Sequence, residues 1–310
     1  MKKIFIDGKN GTTGLRIEER LSERDDVEII ALPEHLRKDP EARKKMLNEC
    51  DVAFLCLPDA AAIEAANMVE NDRTVIIDAS TAHRTDPDWA YGFPELSVEF
   101  YEKIKKSRRI AVPGCHAGGF IALIYPLVKD GILPKDALVT CHSLTGYSGG
   151  GKSMIKDYEA DEISPLLTAP RQYGIAQKHK HLPEMTKITG LENAPVFCPI
   201  VSSFYSGMEV TVPLFSSMLC EGKTVEDIKN AYKNLYTGPI VTYVEGNDEE
   251  GFLSAAALSS LDRMEISVHG GEDRIILVAR YDNLGKGASG AAVECLNIVL
   301  GAEKEKNLEL

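Results

Sequence analysis

One of the seven cysteines in this 310-residue chain stands where a cysteine becomes reactive. Cys115 follows the apolar stretch "RIAV" and a Pro-Gly turn, and it precedes the helical pattern "HAGGFIALIYPLVK". It therefore occupies the first turn of an expected helix, where backbone N–H groups stabilise a thiolate and lower the pKa of the thiol. The other six cysteines lie in apolar or surface contexts without such activation. We predict that Cys115 is a nucleophile; the alternative is a structural cysteine.

A cysteine nucleophile needs a partner that takes and returns a proton, and histidine suits that task. His179 and His181 stand two residues apart in "KHKHLPEM", with Glu184 nearby. A His-x-His pair also suits a metal, but no Cys or Asp cluster accompanies it, so we expect no metal site. We predict that one of these histidines is the general acid/base for Cys115, the alternative being a pair on the surface.

The stretch "GYSGGGKS" at residues 146–153 fits the phosphate-binding pattern G-x-x-x-x-G-K-[ST] of ATPases. It lies in mid-chain, whereas the one good match to an ATPase-like acidic strand, "TVIID", lies in the first third. Glycines let backbone N–H groups turn toward an anion, and Lys152 adds a compact positive charge. We therefore predict a substrate-binding loop without a role toward ATP, the alternative being an inconsequential surface hairpin. The predicted substrate ligands are Ser148, Gly149, Gly150, Lys152, His181 and Glu184.

A glycine-rich turn follows the first apolar stretch, "KKIFID", and precedes the helical pattern "LRIEERLSER". In dinucleotide-binding folds this is where the pyrophosphate meets backbone N–H groups and a helix N-terminus. The spacing here is G-x-x-G-x-x-G rather than the usual G-x-G-x-x-G, and an ordinary tight turn is the alternative. The predicted cofactor ligands of the turn are Gly8, Gly11, Thr12, Thr13 and Gly14.

The second apolar stretch ends in "ALPEHLRK" without an acidic residue at the strand end, where NAD-binding domains place the ligand of the ribose diol. Arg37 and Lys38 follow and suit the 2′-phosphate of NADP. The nearby Glu34 argues the other way, and a solvated charged loop is the alternative. We predict NADP as the cofactor.

The elements that must position these residues change in type near residue 114. Before it, apolar strands alternate with helical patterns, which is typical of a doubly wound α/β fold with a parallel sheet. After it, the helix behind Cys115 is followed by strands with one regular intervening helix, "TVEDIKNAYKNLY", which indicates an α+β domain with a mostly antiparallel sheet. We predict a nucleotide-binding Rossmann domain at 1–114, a catalytic, substrate-binding and oligomerisation domain at 115–283, and a C-terminal helix at 284–310 that packs back on the first domain.

Composition narrows the class of protein. The net charge of −12 and the absence of long Lys/Arg runs argue against a nucleic-acid partner. No apolar stretch has the length of a membrane span, and the N-terminus lacks the pattern of a signal peptide. An odd number of cysteines without a C-x-x-C pair predicts a reducing cytoplasm.

Six motifs then occur in the order of one known family. After the glycine turn come "DASTAHR" (78–84), "GFPEL" (92–96), "PGC" (113–115), "GYSGGGK", "HKHLPE" (179–184) and "DNLGKGASGAAVECLN" (282–297). Together they resemble the N-acetyl-gamma-glutamyl-phosphate reductases of arginine biosynthesis, in their shorter form, from Lys3 to about Gly301. That family belongs to the structural group of aspartate-semialdehyde and glyceraldehyde-phosphate dehydrogenases.

The resemblance implies roles for individual residues. Cys115 matches the thiolate that forms a thioester with an acyl phosphate, and His179 matches the catalytic base. Ser80 and the segment that includes Asn283, Lys286 and Gly287 match stretches that flank the cofactor. Two departures are Val112, where the family has Asn, and His116, where it has Tyr; the second leaves open whether His116 shares the role of base.

The resemblance also implies a reaction and an assembly: NADPH-dependent reduction of N-acetylglutamyl 5-phosphate to the 5-semialdehyde, in a homodimer or homotetramer. A related aspartate-semialdehyde-type dehydrogenase and a non-catalytic NADP-binding regulator remain as alternatives.

Overall fold

The computed structural model describes residues 1–310. Its helices and strands, in chain order, are β1 (Lys2–Asp7), α1 (Thr12–Ser22), β2 (Val27–Ile30), α2 (Pro40–Glu49), β3 (Val52–Leu55), α3 (Asp59–Asn67), β4 (Val75–Asp78), β5 (Ala90–Tyr91), α4 (Val98–Lys106), β6 (Arg109–Ala111), α5 (Cys115–Lys129), β7 (Thr140–Gly146), α6 (Gly151–Tyr158), β8 (Arg171–Gln172), α7 (Leu182–Thr189), β9 (Val196–Ser202), β10 (Met208–Phe215), α8 (Val225–Leu235), β11 (Val241–Tyr243), β12 (Met264–Gly270), β13 (Arg274–Tyr281) and α9 (Gly290–Leu300).

The chain forms two compact units, neither of them continuous in sequence. The parallel-sheet unit comprises Met1–Pro94, Val98–Pro113 and Ala288–Leu308. The mixed-sheet unit comprises Glu95–Ser97, Gly114–Gly287 and Glu309–Leu310. No helix in the chain is both long enough and apolar enough to cross a membrane.

The parallel-sheet unit is built on six parallel strands in the order β2-β1-β3-β4-β6-β5. Both faces of the sheet are covered, which is why strands such as "VAFL" are apolar at every position. One core cluster contains apolar residues of α1, α4 and α9, and the other contains those of α2 and α3. The carboxyl ends of β1 and β4 carry Asp7 and Asp78, both buried.

The mixed-sheet unit is built on seven strands in the order β11-β12-β13-β10-β7-β9-β8. The pairs β11·β12 and β7·β9 are parallel, and the other four are antiparallel. Alternate residues of β7, including Cys141, Ser143 and Thr145, are buried on the face that carries α5. The two sheets together confirm the predicted fold class.

Two short helices in the mixed-sheet unit were not expected from the sequence. α6 and α7 are eight residues each, too short for a strong 3.6-residue periodicity. α7 is bounded by Pro183 in its first turn and by Gly190, which adopts a left-handed conformation (φ +76°) as its C-cap. These two helices carry or flank the residues described next.

Candidate active site

Cys115 is the first residue of α5, directly after the N-cap residue Gly114. The side chain is part-exposed, and the thiol is not in a disulfide. The helix start was expected to place Cys115 near unpaired backbone N–H groups, and α5 begins at that residue. The thiol therefore lies where a helix favours negative charge.

The hydroxyl of Tyr281 is inserted into the first turn of α5. It accepts a hydrogen bond from Gly119 N (3.1 Å) and donates one to the carbonyl oxygen of Cys115. Those two backbone groups would otherwise form the direct i→i−4 bond of a helix. Burial, and next the charge of Cys115, raise the pKa of Tyr281 far above its ordinary value, so its hydroxyl stays a donor. This contact explains why residue 119 is a glycine, because a Cβ there would lie 2.5 Å from the Tyr281 oxygen.

Glu184, on α7, fixes the turn in front of the nucleophile. Its Oε1 accepts the N–H of Gly114 at 2.8 Å, and the side chain is buried. The sequence predicts Glu184 as a substrate ligand; in the structure this oxygen already has a backbone partner. Glu184 therefore holds the residue before Cys115.

Three histidine rings cluster beside this helix start. The ring centroids of His179 and His181 are 4.7 Å apart, and that of His116 lies 6.0 Å from His179 and 5.7 Å from His181. Nowhere in the chain do three or more His, Cys, Asp or Glu side chains converge as a set of metal ligands. The pair predicted from "HKH" thus lies with the unexpected histidine that follows Cys115.

His116 is held at both ring nitrogens. Nδ1 lies 2.7 Å from Ser143 Oγ, and Nε2 lies 2.6 Å from the hydroxyl of Tyr173. Burial, reinforced by His179, lowers the pKa of His116 to about 3. The ring is therefore neutral near pH 7 and has no nitrogen available to a substrate.

His179 is more accessible than His116. It is half-buried, whereas His116 is buried, and the Nδ1 of His179 accepts the backbone N–H of His181 at 3.2 Å. A neutral ring consequently carries its hydrogen on Nε2. Partial burial, and next the charge of Lys180, lower the pKa of His179 below 6.5. The buried His181 begins α7 as its N-cap residue.

The glycine loop after β7 has the strand–loop–helix order of a phosphate-binding loop, but much of its backbone is engaged. The N–H groups of Gly146, Tyr147 and Ser148 donate to carbonyls of residues 204–207 at 2.9–3.0 Å. Ser148 is buried, and its Oγ accepts from Asn283 Nδ2 at 3.0 Å. Gly149 packs against the same amide, and Lys152 is exposed at the start of α6. Three N–H groups at the start of the loop are therefore already bonded.

The segment after β13 was expected to flank the cofactor, and the structure gives two of its residues partners within the mixed-sheet unit. The Asn283 amide also accepts Gly207 N at 2.9 Å. Lys286 Nζ lies 2.9 Å from both carboxylate oxygens of Glu95, and both side chains are buried. Gly287 lies beside the nucleophile, since a Cβ there would be 3.2 Å from Cys115 Cβ.

The glycine turn of the parallel-sheet unit borders a cavity of about 370 Å³. Gly8 has φ +85°, and a Cβ would lie 2.3 Å from the carbonyl oxygen of Cys56. Gly11 is the N-cap residue of α1, which places Thr12, Thr13 and Gly14 in its first turn. The residues that line the cavity include Gly8, Lys9, Ala31, Leu32, Arg37, Lys38 and Arg43. A glycine turn, a helix start and a cationic wall fit a dinucleotide with an additional phosphate.

Ser80 lies beyond β4, where its hydroxyl donates to Asp78 at 2.7 Å. The same aspartate lies 2.7 Å from His83 Nδ1. The structure therefore engages Ser80 with Asp78, at the carboxyl end of the parallel sheet.

Sequence reasoning missed the groups that hold the predicted residues. Tyr281 directly precedes the recognised "DNLGKG" segment, and Tyr173 precedes His179 by six residues. Arg43, which pairs with Asp7 at 2.9 Å, is indistinguishable in sequence from the other cations of α2. Of these three residues, only Tyr281 could have been suspected from the sequence, because it adjoins a motif.

Comparison with known proteins matches each of the two units to a family model. Residues 31–106 match the family model described as the NAD-binding domain of semialdehyde dehydrogenases, and residues 115–283 match the model of their dimerisation domain. The parallel-sheet unit thus carries a nicotinamide-dinucleotide-binding domain, as predicted.

Curated relatives match over nearly their whole length. The N-acetyl-gamma-glutamyl-phosphate reductase of Rhizobium meliloti is 47% identical over 307 residues, covering 97% of this chain and 99% of that protein. A protein of Nostoc sp. with the same name, numbered 2, is 43% identical and covers 99% of each chain.

Solved structures resemble the fold at low identity. Aspartate semialdehyde dehydrogenase II of Vibrio cholerae superposes with a TM-score of 0.72 at 15% identity, covering 97% of this chain and 98% of that one. Aspartate semialdehyde dehydrogenase of Francisella tularensis also gives 0.72, at 16% identity, covering 97% and 100%. This likeness concerns the fold alone.

Proposed function

Because this chain belongs to the N-acetyl-gamma-glutamyl-phosphate reductase family, we propose that it reduces N-acetylglutamyl 5-phosphate to N-acetylglutamate 5-semialdehyde and phosphate. The observation that carries the proposal is Cys115 at the start of α5, with its turn held by Glu184 and its carbonyl held by Tyr281. A regulator that only bound the cofactor would have no need of a cysteine held in this way. The reaction serves arginine biosynthesis, and we propose a reducing cytoplasm as its location, where the Cys115 thiol stays reduced.

Covalent capture divides the reaction into two easier steps. The Cys115 thiolate attacks the acyl carbon, and the carbon–oxygen bond to phosphate breaks to leave a thioester. NADPH, when bound, supplies the hydride for reduction of that thioester. The carbon–sulfur bond then breaks, which releases the semialdehyde and restores the thiolate.

We assign the proton relay to His179 rather than His116. In the neutral ring of His179 the hydrogen sits on Nε2, where it can stabilise the carbonyl oxygen as negative charge develops. His116 has both nitrogens bonded and its pKa lowered to about 3. Its contacts instead give it the role of orienting Tyr173.

NADPH is the proposed cofactor. Gly8, Gly11 and the first turn of α1 suit the pyrophosphate. Arg37 and Lys38, which line the same cavity as Gly8, suit the 2′-phosphate. Glu34 begins a short 3₁₀ turn and is absent from the cavity lining, which removes the main argument for NAD. The positive charge of Arg37 and Lys38 supports a preference for NADPH over NADH.

We also propose a homodimer built on the open face of the seven-stranded sheet. Val196, Phe215 and Ile276 are 54%, 60% and 40% exposed on that face. Apolar patches of this kind mark interaction surfaces, and the matching family model is described as a dimerisation domain. Ile276→Asp should convert the dimer to a monomer in sedimentation equilibrium, whereas a monomeric wild type would end the proposal.

The activity is tested in the oxidative direction, by following NADP reduction with phosphate and a purified semialdehyde. We expect turnover of N-acetylglutamate 5-semialdehyde and none of aspartate semialdehyde; the reverse preference would identify an aspartate-semialdehyde-type enzyme. Cys115→Ala should abolish turnover and keep cofactor binding, with Cys220→Ala as a matched control at another part-exposed cysteine. Retention of more than a few per cent of the rate by Cys115→Ala would contradict the covalent mechanism.

A further inference from the structure

Arg171, on the edge strand β8, carries a positive charge that no acidic side chain balances. Its Nη2 donates to the hydroxyl of Tyr158 at 3.0 Å, and its guanidinium lies 5.5 Å from the centre of the Tyr158 ring. Its Nε is buried and has no hydrogen-bond partner. A buried N–H of a charged group without a partner is costly, so such a group usually has a function or an absent ligand.

The register of the sheet places Arg171 on the same face as the histidine cluster. Arg171 pairs with Val201 of β9, and Val201 pairs with Thr145 of β7. Directly paired residues share a face of a sheet, and Val201 and Thr145 are both buried on the face that carries α5. The guanidinium therefore belongs to the side of the sheet where Cys115 lies.

Arg171 is also two residues from Tyr173, whose hydroxyl contacts His116 and whose pKa is raised by burial and next by the charge of Cys115. Residues two apart on a strand point the same way and lie roughly 7 Å apart. Tyr173 directly follows β8 and is near the nucleophile, and the backbone of Arg171 lies roughly 7 Å from that of Tyr173. This position, on the same face as the histidine cluster, suits a substrate group other than the reacting carbon.

An aromatic wall orients the guanidinium. The ring of Tyr147 stacks on that of Tyr158 with centroids 4.6 Å apart, and Tyr205 meets Tyr147 edge-on. Tyr147 belongs to the glycine loop, and Tyr158 ends α6. A planar guanidinium held against an aromatic ring presents its remaining N–H groups as a fork that matches a carboxylate.

We propose that Arg171 binds the α-carboxylate of the acyl phosphate and so selects an N-acylated amino-acid substrate. The inference rests on the proposed function, because it concerns the same active site. It assigns the far end of the substrate to Arg171 and leaves the phosphate end to the residues beside Cys115. It also explains why a cation with a buried, unpartnered Nε stands at a position that offers no acid.

The test compares two aldehydes in the oxidative assay: N-acetylglutamate 5-semialdehyde and 4-acetamidobutanal, which is the same molecule without the carboxylate. Arg171→Leu should raise KM for the first about 10- to 100-fold, the value of a charge-assisted bidentate contact. It should leave KM for phosphate unchanged and bring the two aldehydes to similar kcat/KM. The KM of Arg171→Lys for N-acetylglutamate 5-semialdehyde should lie between those of the wild type and Arg171→Leu. If Arg171→Leu fails to fold, the test rests on Arg171→Lys.

Arg108→Leu is the matched control, because Arg108 is an exposed arginine of the parallel-sheet unit. It should leave both aldehydes unaffected. A rise in KM for phosphate with no change for the aldehyde would assign Arg171 to the phosphate end and overturn the proposal. An equal loss of kcat/KM for both aldehydes in Arg171→Leu would show that Arg171 has a structural role only, which would also overturn the proposal. A wild type that oxidises neither aldehyde would refute the proposed function itself, with this inference.

Discussion

Substituting Lys286 tests whether it is a cofactor ligand or half of a structural ion pair. The sequence placed Lys286 beside the cofactor, whereas its ammonium lies 2.9 Å from both oxygens of Glu95. The two side chains are only 2% and 9% exposed. Removing one partner of a buried pair leaves the other charge without compensation, which costs about 3–5 kcal/mol.

Lys286→Met should therefore lower the free energy of unfolding by about 3–5 kcal/mol, and Glu95→Leu by a comparable amount. The double variant Lys286→Met/Glu95→Leu removes both charges, so it should be far less destabilised than the sum of the single variants. At about 2–4 °C per kcal/mol for a unit of this size, each single change should lower the melting temperature by roughly 6–20 °C.

Calorimetry of the four proteins gives the coupling energy, and initial rates at a permissive temperature give KM for NADPH. We expect strong coupling between the two sites and an unchanged KM in Lys286→Met. A variant that unfolds like the wild type but has a KM for NADPH raised tenfold would refute the ion-pair assignment and return Lys286 to the cofactor.

Further predictions concern single residues of the two units. His179→Asn should lower kcat by about 10²-fold or more, and a larger loss in His116→Gln would move the relay to His116. The neutral ring of His179 is the active form, and its pKa is lowered, so the wild-type rate should stay constant as the pH falls to 6.5 and should decline only at lower pH. A decline of the rate that begins above pH 6.5 would contradict this role. The neutral, buried His116 has a pKa of about 3, so stability should fall by up to about 1.4 kcal/mol per pH unit as the pH drops below 6.5; urea titrations should show a shallower fall in His116→Gln. Arg37→Ala should raise KM for NADPH at least tenfold and leave KM for NADH unchanged, since only the first cofactor has a 2′-phosphate. Gly119→Ala should cost about 1–3 kcal/mol of stability, because its Cβ would meet the Tyr281 hydroxyl, and a stable, fully active variant would contradict that packing.

The fold class was predictable because its signals are local. Apolar strands alternating with helical patterns predict a parallel sheet, and the later run of strands predicts the mixed one. The start of α5 at Cys115 was predictable for the same reason, since a Pro-Gly turn and an apolar helix adjoin it.

The contacts that shape the site were not predictable, because they join residues far apart in sequence. Tyr281 reaches Cys115 across 166 positions, and His116 reaches Tyr173 across 57. Spacing along one strand or helix carries no information about such pairs. The sequence thus indicated Glu184 and Lys286 as residues of interest, but it could not indicate that each already holds a partner within its own unit.

The discontinuous parallel-sheet unit has a consequence for biosynthesis. Its core includes Ala292, Val293 and Leu296 of α9, packed with Ile4, Ile17 and other residues near the N-terminus. Arg24 is likewise bonded to Asn297, across 273 positions. A nascent chain emerges from the ribosome N-terminus first, so the first strands wait for almost the entire protein before their core can close. During that interval the part of this sheet face that α9 covers is open to solvent, so the incomplete chain exposes apolar surface of the kind that chaperones bind. A chain truncated before α9 should aggregate rather than persist as a folded nucleotide-binding fragment.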